Sequence, residues 1–253
     1  MDSQPAKQKM ALSIERLSKN VALPPWVFAE HMARFEFAGQ FVKNKIVIDC
    51  ACGSGIGSKI FAEARAKKIY AFDINEEEIE KVKKSNSNLS IKFQLADALS
   101  IPLPDNFADV FVSFETIEHI KKDREYLKEA KRVLKKDGIF ICSTPNRTIT
   151  NPSKTINDKP FNKFHVREYS SSEFINVIKE YFSISEIYGQ NPAVLLKTKI
   201  ITKIGKIMPF NFAVWINRLL KLRWLLIKNT ERHNVVIKKN SFEYEYIVII
   251  AKK

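Results

Sequence analysis

Three side chains able to move a proton or hold a cation stand together near the middle of this chain, in Phe114-Glu115-Thr-Ile-Glu118-His119. Glu115 and Glu118 are three apart and Glu115 and His119 four apart, so on a helical turn all three share a face. Two carboxylates with an imidazole suit general-base work on a reacting group, or a divalent cation that takes oxygen and nitrogen ligands. A second set offers binding rather than proton transfer. Of only seven glycines, Gly53, Gly55 and Gly57 fall within five positions, so the backbone freedom of this protein is concentrated at one turn.

The elements that must position these residues can be read around them. Lys45-Ile-Val-Ile-Asp49 is the short β-branched run of a buried parallel strand, and Lys59 to Lys67 after the glycines has helical composition. The alternation continues with strands at Lys68–Asp73, Ile91–Leu95 and Ala108–Phe114 and a helix at Glu76–Lys84. A helix from about Asp123 to Leu134 then stops at Lys135-Lys136-Asp137-Gly138, a basic last turn with a glycine cap. Strand Ile139–Ser143, helix Ser172–Tyr181 and strands Phe182–Tyr188 and Tyr244–Ala251 complete the pattern. Such alternation predicts an α/β doubly wound sheet, seven-stranded and mostly parallel, within one domain covering 1–253. Two segments lie outside it: 1–41 as N-terminal cap helices over the sheet edge, and 192–233, too long for a strand connection and too apolar for a plain loop.

A strand feeding a glycine turn and a helix places backbone N–H groups and a helix N-terminus around one crevice at the carboxyl end of the sheet, where nucleotide-like ligands bind. Asp73 ends the next strand about twenty residues beyond the glycines, where an acid takes both ribose hydroxyls. Asp97 follows the third strand in Leu95-Ala-Asp-Ala98, within reach of an adenine amino group. A dehydrogenase reading fails, because its fingerprint needs glycine three positions after the second and Ser58 stands there, while Tyr126 is followed four later by Ala130 rather than lysine.

Val47-Ile-Asp-Cys-Ala-Cys-Gly-Ser-Gly55, Ala-Phe-Asp73-Ile, Ala96-Asp97-Ala98 and Arg132-Val-Leu-Lys-Lys-Asp-Gly-Ile-Phe140 together resemble class I S-adenosylmethionine-dependent methyltransferases, in the right order over roughly residues 28 to 190. The resemblance implies a Rossmann-like sheet with an antiparallel last strand. It also implies that Asp49, Gly53 and Gly55 hold the methionine moiety, with Ala51 in place of the family's first glycine. Asp73 would bind ribose with Ile74 beside the adenine, Asp97 and the Ala98 backbone would read the adenine edge, and Phe114 would close the cofactor set.

The Glu-x-x-Glu-His sequence resembles the metal-binding motif of ubiquinone-type O-methyltransferases and of small-RNA 3′-terminal 2′-O-methyltransferases. In the RNA enzymes a later histidine completes the site, and the matching one here is His165. The implied metal set is Glu115, Glu118, His119 and His165, holding Mg²⁺ or another divalent cation that draws two vicinal hydroxyls together and lowers the pKa of one. His119 as the base with Glu115, or a structural role for the motif, are the alternatives. Enzymes that methylate exocyclic amines of nucleic acid carry Asp/Asn-Pro-Pro-aromatic after strand four; Phe114-Glu115-Thr116-Ile117 stands there instead, which favours O-methylation.

Forty-two Lys+Arg against 28 Asp+Glu leave a net charge of +14, and 45% hydrophobic residues exclude a disordered or fibrous chain. That basic balance admits nucleic acid, an anionic membrane surface or a phosphorylated acceptor. Within 192–233 nine Lys and Arg accompany one acid, Glu231, and apolar residues recur at mostly helical spacing, as in a lid or a membrane-surface helix. Three cysteines and the absence of a long uncharged apolar run lead us to expect a cytoplasmic protein, peripheral at the inner membrane face. The segment from Ala29 to Ala38 resembles methyltransferases of surface-glycan and glycolipid synthesis; Arg34 within it is a candidate either to pair with the cofactor carboxylate or to form a surface ion pair. The expected acceptor is a hydroxyl on a small or lipid-linked molecule, a sugar or a quinone precursor. An RNA 2′-O-methyltransferase and a non-catalytic membrane-surface scaffold are the alternatives. Nucleic acid is disfavoured because large aliphatics, not exposed stacking aromatics, interleave the basic stripe.

Overall fold

The computed structural model describes residues 25–88, 90–194, 234–238 and 242–253. The expected helices within 1–24 and all of the 192–233 segment beyond residue 194 lie outside the described residues.

Helix α1 (Pro25–Gly39) precedes β1 (Ile46–Cys50), α2 (Ile56–Glu63), β2 (Lys68–Asp73), α3 (Glu76–Ser85), β3 (Ile91–Leu95) and β4 (Ala108–Phe114). A 3₁₀ turn (Ile117–His119) leads to α4 (Asp123–Val133), β5 (Leu134–Pro145), α5 (Arg147–Thr150), α6 (Ser171–Lys179), β6 (Ser183–Val194), β7 (Val236–Ile237) and β8 (Phe242–Lys252). The strands form one sheet in the order β3-β2-β1-β4-β5-β8-β6-β7. Strands β1 to β5 pair in parallel, while β8 runs antiparallel to both β5 and β6. The sheet therefore has eight strands where seven were expected. The addition is the two-residue β7, which pairs Val236 with Gly189 and Ile237 with Tyr188 on the edge of β6.

Strand alternation divides the apolar residues between two cores. Ile48, Phe111 and Phe140 face Tyr126 and Leu127 of α4 and Phe174 and Ile178 of α6. Their neighbours Val47, Val110 and Ile141 face the opposite way, onto Phe37 of α1, Phe61 of α2 and Ile79 and Val82 of α3. Each such buried side chain contributes roughly 2 kcal/mol from area removed from water. The helices are set by local signals. Asn75 caps α3 by accepting from Glu78 N–H, with acids in the first turn and Lys83 and Lys84 in the last. Ser170 and Glu173 form a reciprocal capping box at α6.

The cap of α4 differs from expectation. Asp137 takes the left-handed conformation, φ 63°, while a Cβ on Gly138 would come 2.9 Å from the Lys135 carbonyl oxygen. Gly138 is needed for lack of bulk, and β5 already starts at Leu134, pairing with Ala108 before the register shifts. Strand β6 also runs on to Val194, so residues 192–194 of the supposed insertion are sheet. Among the described residues no helix is long and apolar enough to cross a membrane.

Candidate active site

At the carboxyl ends of β1, β2 and β4 the chain encloses a cleft of about 500 Å³. Its floor is the turn between β1 and α2, which changes direction within five residues by placing Ala51 (φ 62°), Gly53 (φ 50°) and Gly55 (φ 71°) in the left-handed region. Gly55 caps α2, and a Cβ there would meet the Phe93 ring at 2.8 Å. Above Gly53 a Cβ would meet nothing within 4 Å, so a ligand can lie directly on this backbone. Asp73 shapes the turn from β2: Gly53 N–H donates to its Oδ2 at 2.9 Å and Asn75 N–H to its Oδ1 at 2.9 Å.

Of the cofactor residues expected from sequence, Ala51, Gly53, Asp73, Ile74, Asp97, Ala98 and Phe114 line this cleft. Ile74 is 64% exposed, an apolar face presented to solvent beside two carboxylates. Asp97 is held by the Leu99 N–H, which donates to its Oδ1 at 2.9 Å. Asp49, Gly55 and Arg34 do not line it. Asp49 turns its carboxylate inward beneath the turn, where Ser58 Oγ donates to it at 2.6 Å, and burial pushes its pKa up to about 6. It braces the start of α2 from below. Ser54 is a cleft residue that sequence reasoning passed over. Its buried hydroxyl has no hydrogen-bond partner among the described residues, as in a site shaped for a polar ligand. Two carboxylates, an open glycine backbone, an exposed apolar face and an orphaned hydroxyl fit an adenosine-bearing cofactor.

The same cleft holds the chemistry expected around strand four. Glu115 and His119 both line it, joined by His31, Thr116, Lys121 and Phe164. The expected common helical face of Glu115, Glu118 and His119 does not form. Glu115 takes φ 50° before a 3₁₀ turn that starts only at Ile117, so it does not share a helical turn with Glu118 and His119. The Glu115 carboxylate accepts from Ser143 Oγ at 2.5 Å. Burial raises its pKa, opposed by the positive charge of Arg34.

Glu118 is fully buried, and Thr144 Oγ1 donates to its Oε2 at 3.0 Å. Its Oε1 has no hydrogen-bond partner among the described residues, and burial together with the charge of Glu115 holds its pKa well above the usual carboxylate range. Potential ligand atoms of Glu118, His119 and His165 lie within 4.8 Å of one another; Glu115 is not part of this group. The two imidazoles are fixed from behind. His119 Nδ1 donates to the Phe164 carbonyl at 3.1 Å, and His165 Nδ1 meets Glu168 Oε1 at 2.5 Å. Glu168 is itself buried and accepts from Thr150 Oγ1 and Asn151 Nδ2. The His165–Glu168 spacing on a turn was the available sequence signal for this support.

The fold and cleft define an α/β protein whose glycine turn fits an adenosine-bearing cofactor, with Glu115 and His119 lining the same cleft. Residues 48–142 match the methyltransferase domain family. A protein of Mycolicibacterium smegmatis named as a probable S-adenosylmethionine-dependent methyltransferase is 28% identical over 181 residues, which are 71% of this chain and 68% of that one. The ubiquinone/menaquinone biosynthesis C-methyltransferase of Caulobacter vibrioides is 32% identical over 119 residues, 43% of this chain and 47% of its own length. In fold, an S-adenosylmethionine-dependent methyltransferase from Mesorhizobium loti superposes with a TM-score of 0.58 at 13% identity, covering 88% of this chain and 100% of that one. The matched domain and the named relatives support a class I S-adenosylmethionine-dependent methyltransferase, and the fold agrees.

Proposed function

We propose that this methyltransferase alkylates a hydroxyl of a small or lipid-linked acceptor, a polyhydroxylated ring of the quinone-precursor type. The observation that supports it best is that Glu115 and His119 line the same cleft as the residues that fit the cofactor. Methyl transfer from a sulfonium is an in-line displacement that needs the acceptor aligned and its proton removed. Glu115, a desolvated carboxylate on the cleft, is placed to take that proton, since burial makes it a stronger base than a carboxylate in water. Ser143 holds its orientation. Phe35 and Phe114, whose ring centroids are 5.5 Å apart, exclude water from the same wall.

A divalent cation fits the residues beside this base. The unpartnered Oε1 of Glu118 supplies a hard donor, and both imidazoles carry the carbonyl or carboxylate partner that ligating histidines use. In this structure Asn162 Nδ2 donates to His165 Nε2 at 3.0 Å, so that amide must turn aside for His165 to ligate. Glu118, His119 and His165 would hold the ion, which when bound lowers the pKa of an acceptor hydroxyl. An anionic membrane surface is the partner that a lipid-linked acceptor would require.

The name of the Caulobacter relative favours a second reading, methylation of a ring carbon. Incubation of the protein with isotopically labelled S-adenosylmethionine and a polyprenylated catechol, with nuclear magnetic resonance of the product, decides between them. A label on oxygen, with turnover at least ~100-fold lower in Glu115→Gln, is the expected result, in line with the usual size of general-base contributions. A label on carbon would overturn O-methylation. Turnover unchanged after exhaustive chelation would remove the cation.

A further inference from the structure

Helix α1 presents to the cleft an imidazole that the proposed reaction leaves without a task. His31 and Phe35 stand four apart, one helical turn, and both line the cleft. Phe35 fixes that face of the helix. Its ring packs on those of Phe61 and Phe114, with centroids 6.1 and 5.5 Å away. A Cβ on Gly57 would overlap the same ring, so the third glycine of the cluster is what lets α1 sit so close. Elsewhere the helix is pinned to β6, where Gln190 Nε2 donates to the Glu30 carbonyl at 2.9 Å and Asn191 Nδ2 to Glu30 Oε1 at 2.6 Å. His31 is therefore carried on a rigid support beside the end of β4, where Glu115 follows Phe114.

His119 and His165 are each held by a carbonyl or a carboxylate, whereas among the described residues His31 makes no hydrogen bond. Burial, helped by the charge of Arg34 three positions on, holds its pKa well below the ordinary histidine value, so the ring is neutral at pH 7. A neutral imidazole carries one N–H donor and one bare nitrogen acceptor, the two roles that a hydroxyl answers. An ionised carboxylate such as Glu115 can only accept. The charge of Arg34 also bears on Glu115, so base and imidazole lie around one guanidinium. We infer that His31 binds the second hydroxyl of the methyl acceptor, the one that keeps its proton while Glu115 takes the proton of its neighbour. This deepens the proposed function and rests on its choice of a hydroxylated ring. The substrate class is then a catechol or another vicinal diol, which two hydrogen bonds orient for in-line attack, rather than a lone phenol.

Calorimetry on the full chain would compare 4-prenylcatechol with 4-prenylphenol, with S-adenosylhomocysteine saturating and a chelator present so that no cation supports the diol. The wild type should bind the catechol at least tenfold more tightly than the phenol. His31→Phe keeps a ring but removes both hydrogen-bonding roles, and should bring the two within twofold. His31→Ala serves if His31→Phe does not fold. His31→Gln restores a donor and an acceptor, and should recover at least a fivefold preference. Affinity for S-adenosylhomocysteine should stay within threefold in every variant. Equal binding of the two probes by the wild type, or binding of neither, overturns the inference. So does a preference that survives His31→Phe and His31→Ala. A tenfold loss of S-adenosylhomocysteine affinity at an unchanged melting temperature would also overturn it, giving the imidazole to the cofactor. Catechol held through His31 but methylated on carbon would break the proposed reaction and leave this contact standing.

Discussion

The two ends of the cleft are tied together in different ways. The turn that faces the cofactor is shaped by bonds between residues close in sequence: Ser58 to Asp49 across nine positions, Gly53 to Asp73 across 20. On the Glu115 side Arg34 reaches Gln190 across 156 positions, Asn191 reaches Glu30 across 161, and His119 meets the Phe164 carbonyl across 45. One end is the product of a single strand–turn–helix–strand unit; the other exists only once β6 and β8 have closed against β5 and α1. A substitution at the first end should act on one ligand, whereas one at the second should be felt through a shared network.

The hardest test of that division is Asp73→Ala. It removes the carboxylate that two backbone N–H groups use and that faces the cleft, so the dissociation constant for S-adenosylhomocysteine should rise about 100-fold, two charge-assisted bonds at roughly 1.5 kcal/mol each. Isothermal titration would show it. If the ends are independent, binding of a catechol on the Glu115 side should change little. A comparable loss there would show the two ends to be one cooperative unit.

Asp49 sharpens the same comparison through pH. Burial, and less strongly the charge of Asp73, hold its folded-state pKa near 6 against an ordinary 3.8, with Ser58 working the other way. Between those two values the folded protein keeps a proton that the unfolded chain has lost, so this group's contribution to stability declines as pH rises from about 4 to about 6. The whole decline is about 3 kcal/mol at 1.36 kcal/mol per pH unit. Asp49→Asn cannot ionise and still offers Ser58 an acceptor, so its chemical-denaturation stability relative to wild type should grow across that window and level off above it. A pH-independent difference would show that Asp49 does not titrate under the turn.

The same contrast explains what was legible before the structure. From Val47 to Asp73 the β-branched runs, the glycine spacing and the terminal acid each carry their meaning within a few residues, so the strand–turn–helix–strand unit and the cleft residues Ala51, Gly53 and Asp73 followed from them, whereas the inward turn of Asp49 did not. Glu115 was misplaced because its left-handed backbone is imposed by pairing with Ser143, 28 residues away. The partners of Arg34, Gln190 and Tyr246, were not legible because nothing near it in sequence names them. Asp137 rather than Gly138 takes the left-handed position because a short polar residue tolerates it and the glycine is consumed by contact with the Lys135 carbonyl. Periodicity reports which face a residue belongs to, not which distant strand will meet it.

The smallest expected effect concerns Ala51, which departs from the family's glycine. Its φ of 62° is a region where a Cβ crowds the following carbonyl, at a cost of about 1–2 kcal/mol, while glycine adopts it freely. Ala51→Gly removes that cost and adds back part of it as unfolded-chain entropy, so a net stabilisation of about 1 kcal/mol is expected, a melting rise of a few degrees by calorimetry. The methyl group also lines the cleft, but it offers no polar atom to a ligand, so affinity for S-adenosylhomocysteine should move by less than about threefold. Destabilisation would mean that the methyl group packs against the cofactor end of the cleft strongly enough to outweigh its backbone strain. The locally encoded turn would then depend on side-chain contacts that its backbone geometry does not reveal.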